Sequence, residues 1–247
     1  MNARRLRGLG IAGGIVIALE LVCRAGLVRP TDLVPPTTMV AAMLRALADT
    51  ATLEDLATTV AAVAASVILA FFVGMIGGVI LHGLPRVRRA CEPFIASYYA
   101  LPLFALYPVL VVILGVGRAP VVFTGVLYAA MAVLISTLSG LDHIRPVFRK
   151  AARVHRLSPL GTLLRVSIPA CATEILGGIT LAVSYAFVAV IASEFLLAPA
   201  GIGHAIADAY TSFQIERMYG LMLVLALLVL AINGALRKVR TRLGAVA

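Results

Sequence analysis

The segment D-H-I-R-P-V-F-R-K-A-A-R-V-H-R-L-S-P-L-G-T-L-L-R-V-S-I-P, residues 142–169, is the longest charged stretch lying between two strongly apolar ones. Its spacing predicts two short helices joined at a corner. Arg145, Arg149, Arg153 and Arg156 recur at i, i+4, i+8 and i+11 and form one basic face. Val147, Ala151 and Val154 form another. Ser158-Pro159 restarts the chain, because serine caps a helix and proline is tolerated at its first position. Leu160, Leu163, Leu164 and Ile168 make the second helix amphipathic, and Pro169 is expected to stop it.

On both sides of this segment the sequence becomes apolar. The chain has 247 residues, 62% of them hydrophobic and 13% charged, with a mean hydropathy of +1.05. A soluble domain of this size cannot hide so much apolar surface. A bilayer-spanning helix needs about 20 predominantly apolar residues, and six runs qualify: 9–28, 56–82, 93–115, 121–140, 170–197 and 218–236. The expected fold is all-α: a polytopic membrane protein with six transmembrane helices and a cytoplasmic loop over 142–169. The expected division is an N-terminal span and external segment (1–55) followed by a core (56–240).

The first run follows a basic start, as in a signal peptide. Glu20 and Arg24 lie late in it and no small-x-small site is clean, so it reads as a retained span, with the two charges paired at i, i+4. In the second run Gly74, Gly77 and Gly78 permit close helix contact. In the third, Pro102 and Pro108 free backbone carbonyls, which protein or a water-filled path can receive. Residues 83–92 read as a loop, and 198–210 as a turn and a short interfacial helix.

Charge placement sets the orientation. Arg4, Arg5, Arg7, Arg86, Arg88, Arg89, Arg145, Arg149, Lys150, Arg153, Arg156, Arg165, Arg237, Lys238, Arg240 and Arg242 all fall on one side of a six-span arrangement. Only Arg29, Arg45, Arg118 and Arg217 fall on the other. Cytoplasmic loops carry the excess of basic residues, so both termini and the 142–169 segment are expected inside. The net charge of +10 is thereby a matter of topology. A nucleic-acid footprint would need a soluble basic face, and no nucleic-acid partner is expected.

Enzyme chemistry is not indicated. The sequence holds no HExxH, GxSxG or GxxxxGK[ST]. Cys23, Cys91 and Cys171 have no metal-ligand or disulfide spacing. Polar groups within spans are concentrated in the fifth: Ser184, Tyr185, Ser193 and Glu194. With Tyr98, Tyr99 and Pro102 of the third, they are candidates to line a path for a small polar solute. For Glu194 the alternative is a helix-end carboxylate that caps backbone amides or pairs across an interface.

The 142–169 segment resembles the coupling loop of bacterial ABC importer permeases, whose pattern runs Glu-Ala-Ala, three residues, Gly, and closes on an Ile-x-Leu-Pro sequence or similar. Ala151, Ala152, Ile168 and Pro169 match; Lys150 stands where the family has Glu, and Arg156 where it has Gly. E-P-F at 92–94, L-P-L-F-A-L-Y-P at 101–108, L-G-V-G-R at 114–118, S-G-L-D at 139–142 and A-P-A-G-I-G at 198–203 are similar to the nitrate, sulfonate and taurine permeases. The resemblance covers roughly 56–240. It implies a non-catalytic subunit of the inner membrane that pairs with a second permease copy. Two cytoplasmic ATPase subunits would carry the ATP and Mg, with no cofactor on this chain, and a periplasmic or lipid-anchored binding protein would deliver the solute. The implied ATPase-coupling surface is Lys150, Ala151, Ala152, Arg153, Arg156, Leu157, Ser158, Pro159, Leu160 and Gly161. Other readings are a helix pair lying on lipid headgroups, with arginines toward phosphate, in a membrane scaffold, and an ion-driven carrier without ATPase coupling.

The basic asymmetry makes a topological prediction. In a background lacking the three native cysteines, Lys150→Cys should react with an impermeant thiol reagent only from the cytoplasm, and Ala205→Cys only from outside. Labelling of position 150 from outside would overturn the orientation.

Overall fold

A computed structural model describes the backbone of residues 3–29 and 32–244, with side chains over 10–236 (12, 30, 31, 104 and 149 excepted) and at 238. Every regular element among these residues is helical. In chain order they are α1 (Ala3–Arg24), α2 (Pro36–Ala48), α3 (Thr50–Gly83), α4 (Pro85–Ser97), α5 (Tyr107–Leu114), α6 (Arg118–Asp142), α7 (Pro146–Val154), α8 (Pro159–Thr162), α9 (Ile168–Ala170), α10 (Ala172–Leu197), α11 (Ile202–Thr211) and α12 (Ile215–Gly244).

Four helices among the described residues are long and apolar enough to cross a membrane: α3, α6, α10 and the Ile215–Leu236 part of α12. They cover four of the six expected spans. The first expected span lies on α1, much of whose N-terminal half has side chains outside the described residues. The third, expected as one helix over 93–115, is broken. α4 gives way to 3₁₀ turns at Tyr98–Ala100 and Leu103–Leu106 before α5 begins. Pro102 explains the break, since a residue before proline is pushed out of the helical region, and Leu101 is extended at φ −78°, ψ 131°. Pro108 is accommodated in the first turn of α5, where no N–H is needed.

Two further expectations need correction. Residues 85–92 are helix rather than loop, because Pro85 starts α4. Pro169 does not stop the second helix of the charged segment; the chain stays helical through a π turn at Leu163–Ser167 into α9. The Ile168 N–H donates to the Leu163 carbonyl five residues back. A π turn is wider than an α turn, which makes room for a proline ring that would clash in a tighter helix.

α3, α6 and α10 pack side by side around Tyr107, Val133, Ala182, Ala186 and Val190. Small residues set the distance. A Cβ added to Gly74 would lie 2.7 Å from that of Val133, and one on Gly78 would lie 2.8 Å from that of Thr137. The glycines of α3 are therefore used against α6 of the same chain. A Cβ on Gly140 of α6 would lie 2.8 Å from that of Cys171. Buried hydroxyls turn back onto their own helices: Ser66 donates to Ala62 O, Thr124 to Pro120 O and Ser193 to Ala189 O, each at 2.8 Å. A second core joins α2, α11 and α12 through Ala46, Ile202, Ala209 and Leu221. At the start of α2, Glu20 accepts from Arg24 Nε (2.6 Å), Thr37 N–H (3.0 Å) and Thr37 Oγ1 (2.7 Å), tying α1 to α2.

This packing makes alanine at Gly74 or Gly78 an overpacking substitution, with an expected loss of about 1–3 kcal/mol. Gly83 has no neighbour within 4 Å of an added Cβ, and its alanine variant should be neutral or better. Thermal unfolding of the three variants in detergent checks the ordering; a Gly78→Ala protein as stable as Gly83→Ala would contradict it.

Candidate functional site

α7 owes its ends to local chemistry. Pro146 opens it. At the other end the Arg156 N–H donates to Arg153 O (3.0 Å) and the Leu157 N–H to Ala152 O (3.1 Å), the two bonds of a Schellman closure. That closure needs a left-handed residue after the cap, and Arg156 supplies it at φ +50°. A non-glycine residue there costs roughly 1–2 kcal/mol. Three residues on, the Gly161 N–H donates to Ser158 Oγ at 3.1 Å, and α8 begins at Pro159. The expected corner and serine cap are both present.

The face α7 shows outward is basic and apolar together. Arg145, Lys150, Ala151, Arg153 and Arg156 are exposed, as are Val147 and Val154 at 59% and 79%. The guanidinium of Arg145 stands 5.0 Å over the Phe148 ring. The Arg149 side chain lies outside the described residues. Ser158, Pro159 and Leu160 are exposed, while Leu157 and Gly161 are half-buried. Ala152 alone of the expected set faces inward, 3% exposed. It borders a cavity of about 390 Å³ between this segment and the ends of α3 and α6, which His82 and Leu141 also line. A larger group at Ala152 would therefore point into that cavity, between the segment and its own spans.

The expected path residues separate into two places. Tyr98, Tyr99 and Tyr185 come together: Tyr99 stacks on Tyr185 with centroids 4.7 Å apart, and Tyr98 meets Tyr99 edge-on at 5.7 Å. Tyr98 Oη donates to Leu127 O (2.9 Å) and Tyr99 Oη to Tyr128 O (3.4 Å), so the break beside Pro102 is fastened to α6. Ser184 donates to Thr180 O (3.3 Å) and borders an apolar groove of about 680 Å³ between α10 and α12.

Ser193 and Glu194 lie elsewhere, at 0% and 2% exposure. Glu194 accepts the Gly203 N–H at Oε2 (3.0 Å) and lies 2.8–2.9 Å from Thr59 Oγ1. Thr59 Oγ1 accepts the Ile202 N–H (2.9 Å), and Asp55 Oδ1 accepts the Gly201 N–H (2.9 Å). Three successive amides at the start of α11 are thus met by side chains of α3 and α10. Gly201, at φ +109°, has no room for a Cβ beside the Glu194 carboxylate, and a Cβ on Gly203 would lie 2.7 Å from that of Glu194. Sequence reasoning missed Asp55, Thr59, Gly201 and Gly203. The signal available was the i, i+4 pair Asp55/Thr59 on one face of a span, and a Gly-x-Gly after a span-end glutamate.

Comparison with known proteins bears on this arrangement. Residues 70–241 match the family described as binding-protein-dependent transport system inner membrane component. A probable ABC transporter permease of Haemophilus influenzae is 27% identical over 158 residues, 64% of each chain. The nitrate import permease NrtB of Synechococcus elongatus is 28% identical over 150 residues, 61% of this chain and 54% of the relative. The bicarbonate transport permease CmpB of Synechocystis is 27% identical over 151 residues, again 61% and 54%. The matched regions thus span between about half and two thirds of these relatives. In fold, the chain is similar to a chain of the inward-facing MetNI methionine ABC transporter, with a TM-score of 0.67 at 18% identity, over 77% of this chain and 94% of that one.

The Glu194 cluster yields a stability prediction. Glu194→Ala leaves the buried Gly203 amide without its acceptor and turns the Thr59 hydroxyl onto Asp55 O alone (3.1 Å), at an expected cost of about 1–3 kcal/mol. Thr59→Val should show a loss of similar size. Because the two share one network, the double variant should lose less than the sum. Unfolding of purified protein in detergent measures all three; strict additivity would contradict the network.

Proposed function

We propose a transport role from one premise: the chain belongs to the family of binding-protein-dependent transport system inner membrane components. In this reading it is the permease subunit of an ATP-driven importer in the bacterial inner membrane. Six crossings would be made by α1, the broken α4–α5 stretch, α3, α6, α10 and α12, with both termini cytoplasmic. Two copies would form the pathway. Two ATPase subunits, holding ATP and Mg, would bind below, and a periplasmic or lipid-anchored binding protein would dock above. Residues 56–240 would be the transport core and 142–169 its coupling segment.

The observation that carries the reading is the outward basic face of α7, closed by a sharp corner and set between two long apolar helices. An exposed short helix at this point suits docking into a groove, and Lys150, Ala151, Arg153, Arg156 and Leu160 would enter it. Residues 143–173 contain no Asp or Glu, so the groove that receives them should be acidic. Two states of the ATPase pair would favour two positions of this segment, which is what coupling requires. Tyr98, Tyr99, Tyr185 and the Pro102 turn would border the path. The solute would be a small polar compound such as nitrate, a sulfonate, taurine or a related compound. Relatives named for nitrate and bicarbonate fit that class. The burial of Glu194 against Thr59 and Gly203 supports it too, because that carboxylate is then committed to the packing and does not line the path.

Co-purification with the partner ATPase, in a complex holding two copies of this chain, is the first expected result. Arg156 then separates shape from charge. Arg156→Gly keeps the corner and relieves the left-handed strain, so the chain should be as stable or more so. Arg156→Glu should uncouple ATP hydrolysis from uptake while the protein still inserts and pairs. Arg242→Glu in the tail is the control and should be near neutral. If Arg156→Glu leaves solute-stimulated hydrolysis and uptake unchanged, the 142–169 segment is a headgroup-bound helix pair.

A further inference from the structure

α4 is held to the bundle in an unusual way. It contains no buried residue. Its neighbour α6 is separated from it by a cavity of about 310 Å³, bordered by Arg88, Glu92, Ile95, Leu138, Asp142 and His143. Polar contacts close the two ends of that gap. At the far end are the Tyr98 and Tyr99 hydroxyls on the Leu127 and Tyr128 carbonyls. At the cytoplasmic end Arg88 forks onto Asp142, Nη2 to Oδ2 at 2.7 Å and Nη1 to Oδ1 at 2.9 Å. His82, at the end of α3, meets Asp142 Oδ1 through Nδ1 at 3.0 Å.

Asp142 is the last residue of α6, four positions before α7 begins. His82, on the same carboxylate, also lines the cavity beneath Ala152. Any displacement of the 142–169 segment therefore pulls first on Asp142. Arg88 has a second carboxylate within reach: Glu92 lies one turn further along α4, at the i, i+4 spacing of helical ion pairs, and acts electrostatically on Arg88. The fork is about one third exposed, so water can assist an exchange of partners.

We propose that Arg88, Glu92 and Asp142 are positioning residues of the transport cycle, with Arg88 alternating between Asp142 on α6 and Glu92 on its own helix, so that motion of the coupling segment reaches the broken α4–α5 stretch. With Arg88 on Asp142, α4 is drawn to α6. With Arg88 on Glu92, α4 pivots about the Tyr98–Tyr99 attachment and the gap opens. The inference rests on the transport reading above and adds the joint through which the coupling segment acts.

The test uses the complete complex with its ATPase in lipid nanodiscs. Ile95→Cys and Leu138→Cys, in a background lacking the native cysteines, face each other across the gap. They should cross-link in one nucleotide state and not in the other. Asp142→Asn should lower solute-stimulated hydrolysis about 5- to 150-fold, the usual range of coupling between sites. Glu92→Gln leaves the observed fork untouched, so a purely structural role predicts no effect. The exchange predicts a comparable loss and a cross-link that no longer depends on nucleotide. The swap Arg88→Glu with Asp142→Arg restores a fork but sets two glutamates at 88 and 92, and should fold well yet remain uncoupled. A coupled wild type with a nucleotide-independent cross-link overturns this inference alone, as does full activity in Glu92→Gln or in the swap. A wild-type chain that binds no ATPase removes the transport reading and this inference together.

Discussion

Three consecutive backbone amides at the start of α11 have no carbonyl of their own helix to bond, and the tertiary structure is arranged to meet them. In water such amides cost little. In a low-dielectric setting each unsatisfied group costs kilocalories. Asp55 takes Gly201, Thr59 takes Ile202 and Glu194 takes Gly203. This fixes the relative height of α3 and α10, because their acceptors must reach three neighbouring donors at once. It also fixes two residue types: with the Glu194 carboxylate in place, positions 201 and 203 have no room for a side chain. α11 is then delivered against α12 and α2, where Ile202, Ile206, Ala209 and Leu221 close the second core. The apolar packing of that end follows from the polar constraint.

A different rule governs the middle of the bundle. Between apolar helices in a bilayer there is no hydrophobic gain in association, since lipid is as apolar as leucine. Contact has to come from close approach, and Gly74, Gly78, Gly125, Gly140 and Gly178 provide it along both sides of α6. The cost is that larger apolar side chains are turned outward. Val112, Ile113 and Phe94 are 85%, 70% and 77% exposed on the α4–α5 stretch. Within that stretch α4 has no buried residue, whereas α5 is anchored by Tyr107 in the main core, so polar contacts to α6 matter most for α4.

Legibility in the sequence followed how local the cause was. The Ser158 cap, the corner before it and the proline starts at 146 and 159 depend on residues within one turn, and all are present. The four long apolar runs were legible from length alone. The break at Pro102 was only half legible: proline marks a weak point, but whether a span kinks or separates depends on what holds the broken piece, here the Tyr98 and Tyr99 hydroxyls donating to carbonyls of α6. Pro169 misled because a π turn, which no pattern of apolar residues announces, absorbed it. One partner of Glu194, Gly203, lies nine residues away in sequence, but the other, Thr59, lies 135 away. Its role as an acceptor was one of two readings that residue type allowed, and only the approach of α3 distinguishes them. For α7 and its corner, exposure was legible from the basic face, but the inward turn of Ala152 was not, because helical periodicity locates a face without saying which neighbour it meets.

The departure at Arg156 shows how separable shape and charge are at such a surface. The family pattern has glycine at this position, and the conformation explains why: the residue sits at φ +50° as the left-handed member of a Schellman closure. An arginine there would be expected to open the corner if backbone preference decided. It does not, because two hydrogen bonds from Arg156 and Leu157 back to α7, together with the burial of Ala152, offset a cost of roughly 1–2 kcal/mol. The corner is thus specified by its hydrogen bonds and its seat on the spans, with residue type a secondary influence. What the substitution changes is electrostatic. It places an exposed cation beside Arg145, Lys150 and Arg153, within residues 143–173 that contain no Asp or Glu. The corner thus keeps its shape under a changed charge pattern, and the strain held at Arg156 is the local cost of a cation at that position.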